Sequence, residues 1–273
     1  MQPRVLFLVI SSDDVPQYFE MRNCLHRYLS RFSNVKHLFL DAGNGQSCES
    51  LCERPSLFGD GPLGVDFGFA PDGRFAKSSN DVELSSFEPN VLVCTNVRDC
   101  IRPGILFKTL LGMNYVISEG FEFDYVVRTN LSTMWNMPVL CNLLASLPLD
   151  SDHAIGTLMN AEPINQAFLS GTGIVLSRSV VEKLIRADVH DYRLAQNDDV
   201  AIGHMLEQNH VSMIDWTQYG LCMAWLEHPH FLDVLKTNSA KEEYAQHPCF
   251  RCKVLQDRNI DVAMMTFLAE LLV

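Results

Sequence analysis

Long apolar runs are missing from the amino-terminal region of this chain, where a leader or a membrane anchor would stand. The apolar stretch there, 5–10, has only six residues. A secretory leader needs a longer apolar core, and a helix that spans a bilayer needs about 20 apolar residues. We therefore interpret 5–10 as a buried first strand, and we expect a soluble, cytoplasmic protein with no membrane span.

Clustered positive charge is also missing. The chain has 21 Lys and Arg against 33 Asp and Glu, a formal net charge of -12, and no Lys/Arg run longer than a few residues. Proteins that bind nucleic acids neutralise phosphates with clustered basic side chains. The composition therefore argues against a nucleic-acid partner.

Regular cysteine pairs are scarce, although the chain has nine cysteines. Four of them lie in apolar runs and are predicted to be buried: Cys24, Cys94, Cys141 and Cys222. Cys249 and Cys252 form a lone CxxC that could bind zinc together with Cys48 and Cys52, although two regular knuckles are absent. Scattered cysteines in an odd number are typical of a protein from a reducing compartment.

Apolar periodicity predicts alternating strands and helices. The 273 residues suit one α/β domain, 1–273, with a mostly parallel sheet and an irregular glycine-rich insertion at about 42–82. Predicted strands are 5–10, 35–40, 91–94, 125–127, 153–159, 171–177 and 211–214. Predicted helices are 16–31, 104–117, 137–147, 179–187, 199–209 and 261–272.

A polar turn follows the apolar strand at 125–127. It contains Arg128, Thr129 and Asn130. Open α/β sheets bind ligands at the carboxyl ends of their strands. The sequence therefore favours an enzyme that uses a nucleotide or a nucleotide sugar.

Four motifs resemble the β1,3-galactosyltransferase and N-acetylglucosaminyltransferase group, glycosyltransferase family 31. PGILFKTLLGMNYV is similar to its NLTLKTLxGLxWV helix, and DYVVRTNLSTMWN to its YVLKxDDDVFVN strand and turn. SGTGIVLSRSVVEKL resembles CSGGGYVLSRDLVRRL, and NDDVAIG resembles EDVYVG. The resemblance covers the middle of the chain and implies a GT-A fold. Golgi members carry a membrane anchor, so a start at Met1 directly on a strand suggests a soluble enzyme of a microbe or a virus.

The chain departs from the family where metal-binding acids would stand, because it has Asn130, Leu131 and Ser132 there. Mg²⁺ and Mn²⁺ prefer anionic oxygen ligands, so a divalent cation could be dispensable. Arg128 could supply positive charge in place of the divalent cation. Arg251 and Lys253, which share one face of an extended segment, could do the same. The remaining metal candidates are Asn130 and the late pair His228 and His230.

The resemblance also suggests roles for other residues. Asp199 matches the second acid of EDVYVG and would be the catalytic base, with Asp198 as the alternative; both could instead only cap a helix. Further donor-binding candidates, for each of which turn or cap duty is an alternative, are Ser11, Ser12, Asp41, Asp99, Arg102, Lys108, Thr129, Asn130, Gly171, Thr172 and Gly173. Trp135, Trp216 and Trp225 could stack on sugars or belong to the core.

The function that the resemblance implies is sugar transfer from a UDP-sugar, with galactose, N-acetylglucosamine or xylose possible, to a carbohydrate or glycoprotein acceptor. Inversion by an Asp base is favoured. A retaining transferase and an inactive glycan- or partner-binding protein are the alternatives.

Overall fold

The first strand is buried on both faces. It is β1, Val5–Ile10. The structure is a computed structural model that describes residues 2–12, 15–42, 82–85, 90–94, 97, 104–162, 164–187, 197–231, 233, 244, 246–254 and 257–272. Val5, Phe7 and Val9 pack in one core cluster, and Leu6, Leu8 and Ile10 pack in a second one on the opposite face. A strand covered on both sides needs an uninterrupted apolar run, which explains the sequence of β1.

Helices cover both faces of the sheet. They are α1 Pro16–Leu29, α2 Gly104–Ser118, α3 Met137–Ser146, α4 Arg178–Leu184, α5 Asp198–Gln208 and α6 Arg258–Leu271. The other strands are β2 Val35–Ala42, β3 Val82–Leu84, β4 Val91–Cys94, β5 Tyr125–Asn130, β6 Thr133–Trp135, β7 Ala154–Gly156, β8 Leu158–Ala161, β9 Gln166–Leu169, β10 Gly173–Ser177, β11 Met213–Asp215, β12 Ala224–Leu226 and β13 Cys249–Cys252. Among the described residues, no helix has the length and apolarity that crossing a bilayer requires.

The main sheet has eight strands in the order β11-β7-β10-β5-β1-β2-β4-β3. Strands β5, β1, β2 and β4 are parallel neighbours, whereas β10 is antiparallel to β5. The carboxyl ends of these four parallel strands therefore lie at one edge, and the amino end of β10 joins them there. The predicted α/β class with a mostly parallel sheet is confirmed.

A small sheet, β12-β13-β6, extends from this edge. β6 follows β5 after a two-residue corner, Leu131 and Ser132, and β13 pairs antiparallel with β6. β12 lies parallel to β13 on its outer side. The carboxyl-terminal part of the chain thus supplies the strand next to β6.

Several element boundaries differ from the sequence prediction. β5 continues to Asn130, so the predicted polar turn is the end of a strand and the corner follows it at Leu131 and Ser132. The predicted strand 153–159 is two strands in different sheets, β7 and β8. The helix predicted at 261–272 begins at Arg258, because the Asp257 side chain accepts the Asn259 backbone N–H and caps it.

The cysteine predictions are confirmed for Cys24, Cys94 and Cys141, which are buried thiols. The prediction for Cys222 is wrong, because this thiol is exposed. The apolar neighbours of Cys222 did not reveal that it lies just before β12, outside the core. Most of the insertion at 42–82, together with Cys48 and Cys52, lies outside the described residues.

Candidate functional site

The strand pairings bring separate predicted segments together at the carboxyl edge of the main sheet. Ile10 of β1 pairs with Asn130 of β5, and Gly173 of β10 pairs with Thr129. Residues 171 and 172 form the turn before β10 and therefore lie beside the end of β5. Arg251 of β13 pairs with Thr133 of β6, just past the corner. Four stretches of the chain thus meet at one place.

The contact between Asn130 and Arg251 is the centre of this site. The Nη1 atom of Arg251 donates to Oδ1 of Asn130, and Thr133 Oγ1 donates to the same oxygen over 3.0 Å. The side chains of Arg251 and Lys253 are both half-buried. β13 carries Arg251, and Lys253 directly follows its last residue, so the extended segment expected here is present as far as Cys252.

The electrostatics of this cluster point to a shortage of negative charge. Burial lowers the pKa of Arg251 to about 10, and the positive charges of Arg258 and Arg128 act in the same direction. Burial, followed by the charges of Arg251 and Arg258, also lowers the pKa of Lys253. Within the part of the chain that the structure describes, neither Arg251 nor Lys253 forms an ion pair. A bound anion would relieve this repulsion.

Arg128, in contrast, is occupied within the protein. Its side chain is buried and donates from Nη2 to Asp198 and from Nη1 to the carbonyl of Gly171. Asn130 Nδ2 donates to the same carbonyl over 3.2 Å. Burial raises the pKa of Asp198, and the positive charge of Arg128 opposes that shift. Arg128 and Asp198 therefore neutralise each other and fix the turn at Gly171.

Asp199 differs from its neighbour in exposure. It is half-buried, its Oδ2 accepts the backbone N–H of Gly171 over 3.1 Å, and its Oδ1 accepts that of Val200 over 2.9 Å. Both acids stand in the first turn of α5, where the helix dipole favours negative charge. Of the two candidate bases, Asp199 is the more accessible to solvent.

The glycines of the turn make room for neighbouring side chains. A Cβ at Gly171 would lie 2.8 Å from Arg128 Nη1 and 3.3 Å from Asp199 Oδ2. A Cβ at Gly173 would lie 2.6 Å from the ring of Trp135. These close contacts hold the turn against β5, and the donor-binding role of Gly171 and Gly173 stays a prediction.

Threonine side chains also hold this turn in place. The Thr129 hydroxyl donates to the Thr172 carbonyl over 2.7 Å, and Thr133 Oγ1 lies 3.0 Å from the same carbonyl oxygen. Trp135 Nε1 donates to Thr129 Oγ1 over 3.2 Å. All of these side chains are buried, as is Thr172, so they position the edge of the site and do not face solvent.

A second polar group lies at the ends of β1 and β2. Arg22 of α1 donates to Ser11 Oγ over 2.8 Å and to Asp41 Oδ2 over 2.7 Å. Lys108 is buried and donates to the Ser11 carbonyl over 2.8 Å. Sequence reasoning missed Arg22; its signal was a cation among the apolar positions of α1, within reach of the acid that ends β2.

The other predicted donor-binding residues are less informative. Ser12 is half-buried beside this group. Asp99 and Arg102 lie outside the described residues.

The donor atoms at the positions of the family's metal acids do not fit Mn²⁺ or Mg²⁺. Asn130 offers an amide oxygen that Arg251 already holds, Leu131 packs in the core, and Ser132 is buried. His228 and His230 are exposed next to each other after β12, with their Nδ1 atoms 2.5 Å apart. Within the described ranges, no group of three His, Cys, Asp or Glu side chains could hold a metal ion.

Comparisons with known proteins give only distant likenesses. No family model matches the chain, and no curated protein does. Among the solved structures that are similar to it are three glycosyltransferases. A mannosyltransferase from Pyrobaculum calidifontis, solved with GDP-Man and Mn²⁺, shares 13% identity over 79% of this chain and 55% of its own, with a TM-score of 0.43.

The galactosyltransferase LgtC, solved with donor and acceptor sugar analogues, shares 12% identity over 97% of this chain and 95% of its own, with a TM-score of 0.46. The apo glycosyltransferase GlyE from Streptococcus pneumoniae shares 12% identity over 99% of this chain and 62% of its own, with a TM-score of 0.41. This chain thus spans less than two thirds of the length of two of these proteins. Since all three scores are low, the function has to be argued from the side chains of this chain.

Proposed function

We propose that this chain is a glycosyltransferase that moves a sugar from a nucleotide diphosphate donor to a carbohydrate acceptor. The observation that carries the proposal is the cation pair Arg251 and Lys253 at the strand ends, beside Asn130 and without an ion pair among the described residues. The chain as a whole has a net charge of -12, so this basic cluster is a local exception. Arg and Lys together suit a diphosphate.

The reaction would use these groups in a defined order. The acceptor hydroxyl gives its proton to the Asp199 carboxylate, and its oxygen forms the new bond to the anomeric carbon. The bond from that carbon to the diphosphate oxygen breaks, and its electron pair leaves with the nucleotide diphosphate. Arg251 and Lys253 stabilise the charge that develops on the leaving group. Attack opposite the leaving group inverts the anomeric configuration.

The donor is proposed to be a UDP-sugar, with its nucleotide over the ends of β1 and β2. Ser12 and the partly exposed Asp41 lie there, and the buried group of Arg22, Ser11 and Lys108 supports them. The whole of 1–273 would serve as one catalytic domain. No step is assigned to a divalent cation, because the donor atoms at the expected positions do not suit one.

Calorimetric titration with UDP in the presence of EDTA tests the proposal. We expect binding to the wild type and a Kd raised by about 10–100-fold in Arg251→Gln, since a charge-assisted contact is worth about 1.5–3 kcal/mol. Arg27→Gln is the matched control, because Arg27 is exposed in the last turn of α1, far from the site.

Turnover separates the enzyme from the inactive binder. UDP release from a panel of UDP-sugars should persist in EDTA. Loss of all turnover on chelation, restored by Mn²⁺, would reject the cation assignment. Flat titrations with UDP and with every UDP-sugar would reject the proposed function.

A further inference from the structure

The three tryptophans of the chain divide into two environments. Trp135 and Trp216 are fully buried, and Trp135 packs edge-on against Trp216 with ring centroids 6.5 Å apart. Trp225 on β12 is 42% exposed. Tryptophan is enriched at binding interfaces, where its ring packs on a partner and its N–H stays hydrated, so the surroundings of Trp225 decide whether it can bind a ligand.

The register of the small sheet places Trp225 on the face that carries the site. Trp225 pairs with Arg251, and Arg251 pairs with Thr133, so these side chains share one face of the sheet. The neighbours Leu226 and Phe250 point to the other face and belong to the core. Since strands are about 4.8 Å apart, Trp225 lies about 10 Å from Thr133, which contacts Asn130.

Polar groups flank the exposed indole. Lys253 donates its backbone N–H to the Leu226 carbonyl over 3.1 Å, which brings Lys253 next to Glu227 at the ends of the two strands. The negative charge of Glu227 acts on Lys253 and partly offsets the effect of burial on its pKa. An apolar plane with a cation and a carboxylate beside it matches a pyranose ring, which has an apolar C–H face and a rim of hydroxyls.

The position relative to β5 separates this surface from the donor. The nucleotide is proposed over β1 and β2, whereas β6, β13 and β12 extend from the corner after β5. A base over β1 and β2 cannot reach Trp225 while its diphosphate contacts Arg251, because Arg251 lies between them. A carbohydrate acceptor is thus the occupant that the geometry favours over a nucleobase.

The geometry points to Trp225 as the stacking platform of an acceptor subsite that takes a pyranose ring of a carbohydrate. The assignment of this saccharide as the acceptor rests on the proposed function. Binding of a saccharide to Trp225 can nevertheless be measured without turnover.

Acrylamide quenching of the intrinsic fluorescence tests the platform. The quenchable emission should come from Trp225, since the other two indoles are buried, and Trp225→Phe should remove it. Lactose, N,N′-diacetylchitobiose and xylobiose are the probes, and at least one should protect Trp225 in a saturable way. In Trp225→Ala its Kd, measured by calorimetry, should rise at least 10-fold, whereas Trp225→Phe should retain part of the affinity.

Leu149→Ala is the control, because Leu149 is exposed beside Arg4 and Phe123, at the opposite edge of the sheet. It should leave the saccharide Kd unchanged. Absence of protection by all three probes, or an unchanged Kd in Trp225→Ala, overturns the platform. If the wild type still binds UDP in that case, the proposed function stands and only the acceptor subsite fails; if UDP does not bind, the proposed function fails.

Discussion

Two neighbouring acids, Asp198 and Asp199, should respond in opposite ways to the same conservative change. Asp198→Asn leaves the charge of Arg128 buried without a carboxylate partner, since the two side chains are only 10% and 3% exposed. Removing one partner of a buried ion pair lowers the free energy of unfolding by about 3–5 kcal/mol. Because the substituted side chain still offers an amide oxygen to Arg128, we expect the lower end of this range, about 3 kcal/mol. Asp199→Asn keeps an acceptor for Gly171 and should cost about 1 kcal/mol or less.

The thermal shift follows from the size of the chain. At about 2.1 cal/mol/K per residue, 273 residues give an unfolding entropy of about 0.6 kcal/mol/K. Asp198→Asn should therefore lower Tm by about 5 °C, and Asp199→Asn by less than about 2 °C. Turnover should follow the reverse order, because loss of a general base slows a reaction by about 10²–10⁴-fold.

Calorimetry and UDP-release kinetics on both variants provide the assay. A double-mutant cycle with Arg128→Gln isolates the ion pair, and a coupling energy below about 0.5 kcal/mol would contradict the assignment of Arg128 to Asp198. The reasoning is refuted if Asp198→Asn melts at the temperature of the wild type. It is also refuted if Asp199→Asn keeps nearly normal turnover.

Three further predictions concern other parts of the molecule. Burial, together with the nearby His26, lowers the pKa of His37 from 6.5 to about 4, so between these values the unfolded chain takes up a proton at His37 while the folded protein keeps it neutral. At about 1.4 kcal/mol per pKa unit, denaturant titrations should show that about 3 kcal/mol of stability is lost as pH falls from 6.5 to 4, and His37→Gln should reduce this loss. Gly173→Ala should cost about 1–3 kcal/mol in urea unfolding, because the new Cβ would lie 2.6 Å from the Trp135 ring, and an unchanged midpoint would contradict that packing. Asn130→Asp should neutralise the charge of Arg251 and weaken UDP binding by about 10-fold in calorimetry. Tighter binding would argue against a site in which Arg251 binds the diphosphate without a divalent cation.

The predicted sheet was largely correct because its strands are apolar on both faces. β1 is a run of Val, Leu, Phe and Ile, β2 contains Leu-Phe-Leu, and β5 begins with Tyr-Val-Val; in a chain of alternating strands and helices such short apolar runs are typical of buried parallel strands. The short strands β6, β9 and β12 were not predicted, since three or four residues carry no clear periodicity. Their pairing depends on tertiary contacts.

The candidate site was only partly predictable for a similar reason. The turn at Gly171 and the acids of α5 were proposed for it through motifs, whereas the contact between Asn130 and Arg251 joins residues 121 positions apart. No local pattern encodes such a contact. The role of Arg128 was proposed as ligand binding, but its burial against Asp198 depends on which strand lies next to β5, and periodicity does not give that order.

The pairing of β13 with β6 has a consequence for folding during synthesis. The last strand of the main sheet in chain order, β11, ends at Asp215, and the later segment that carries Arg251 also contributes Phe250, Met264 and Leu268 to the core. Closure of this core and assembly of the proposed diphosphate site therefore depend on the same late segment, and a chain truncated before β13 should lack both.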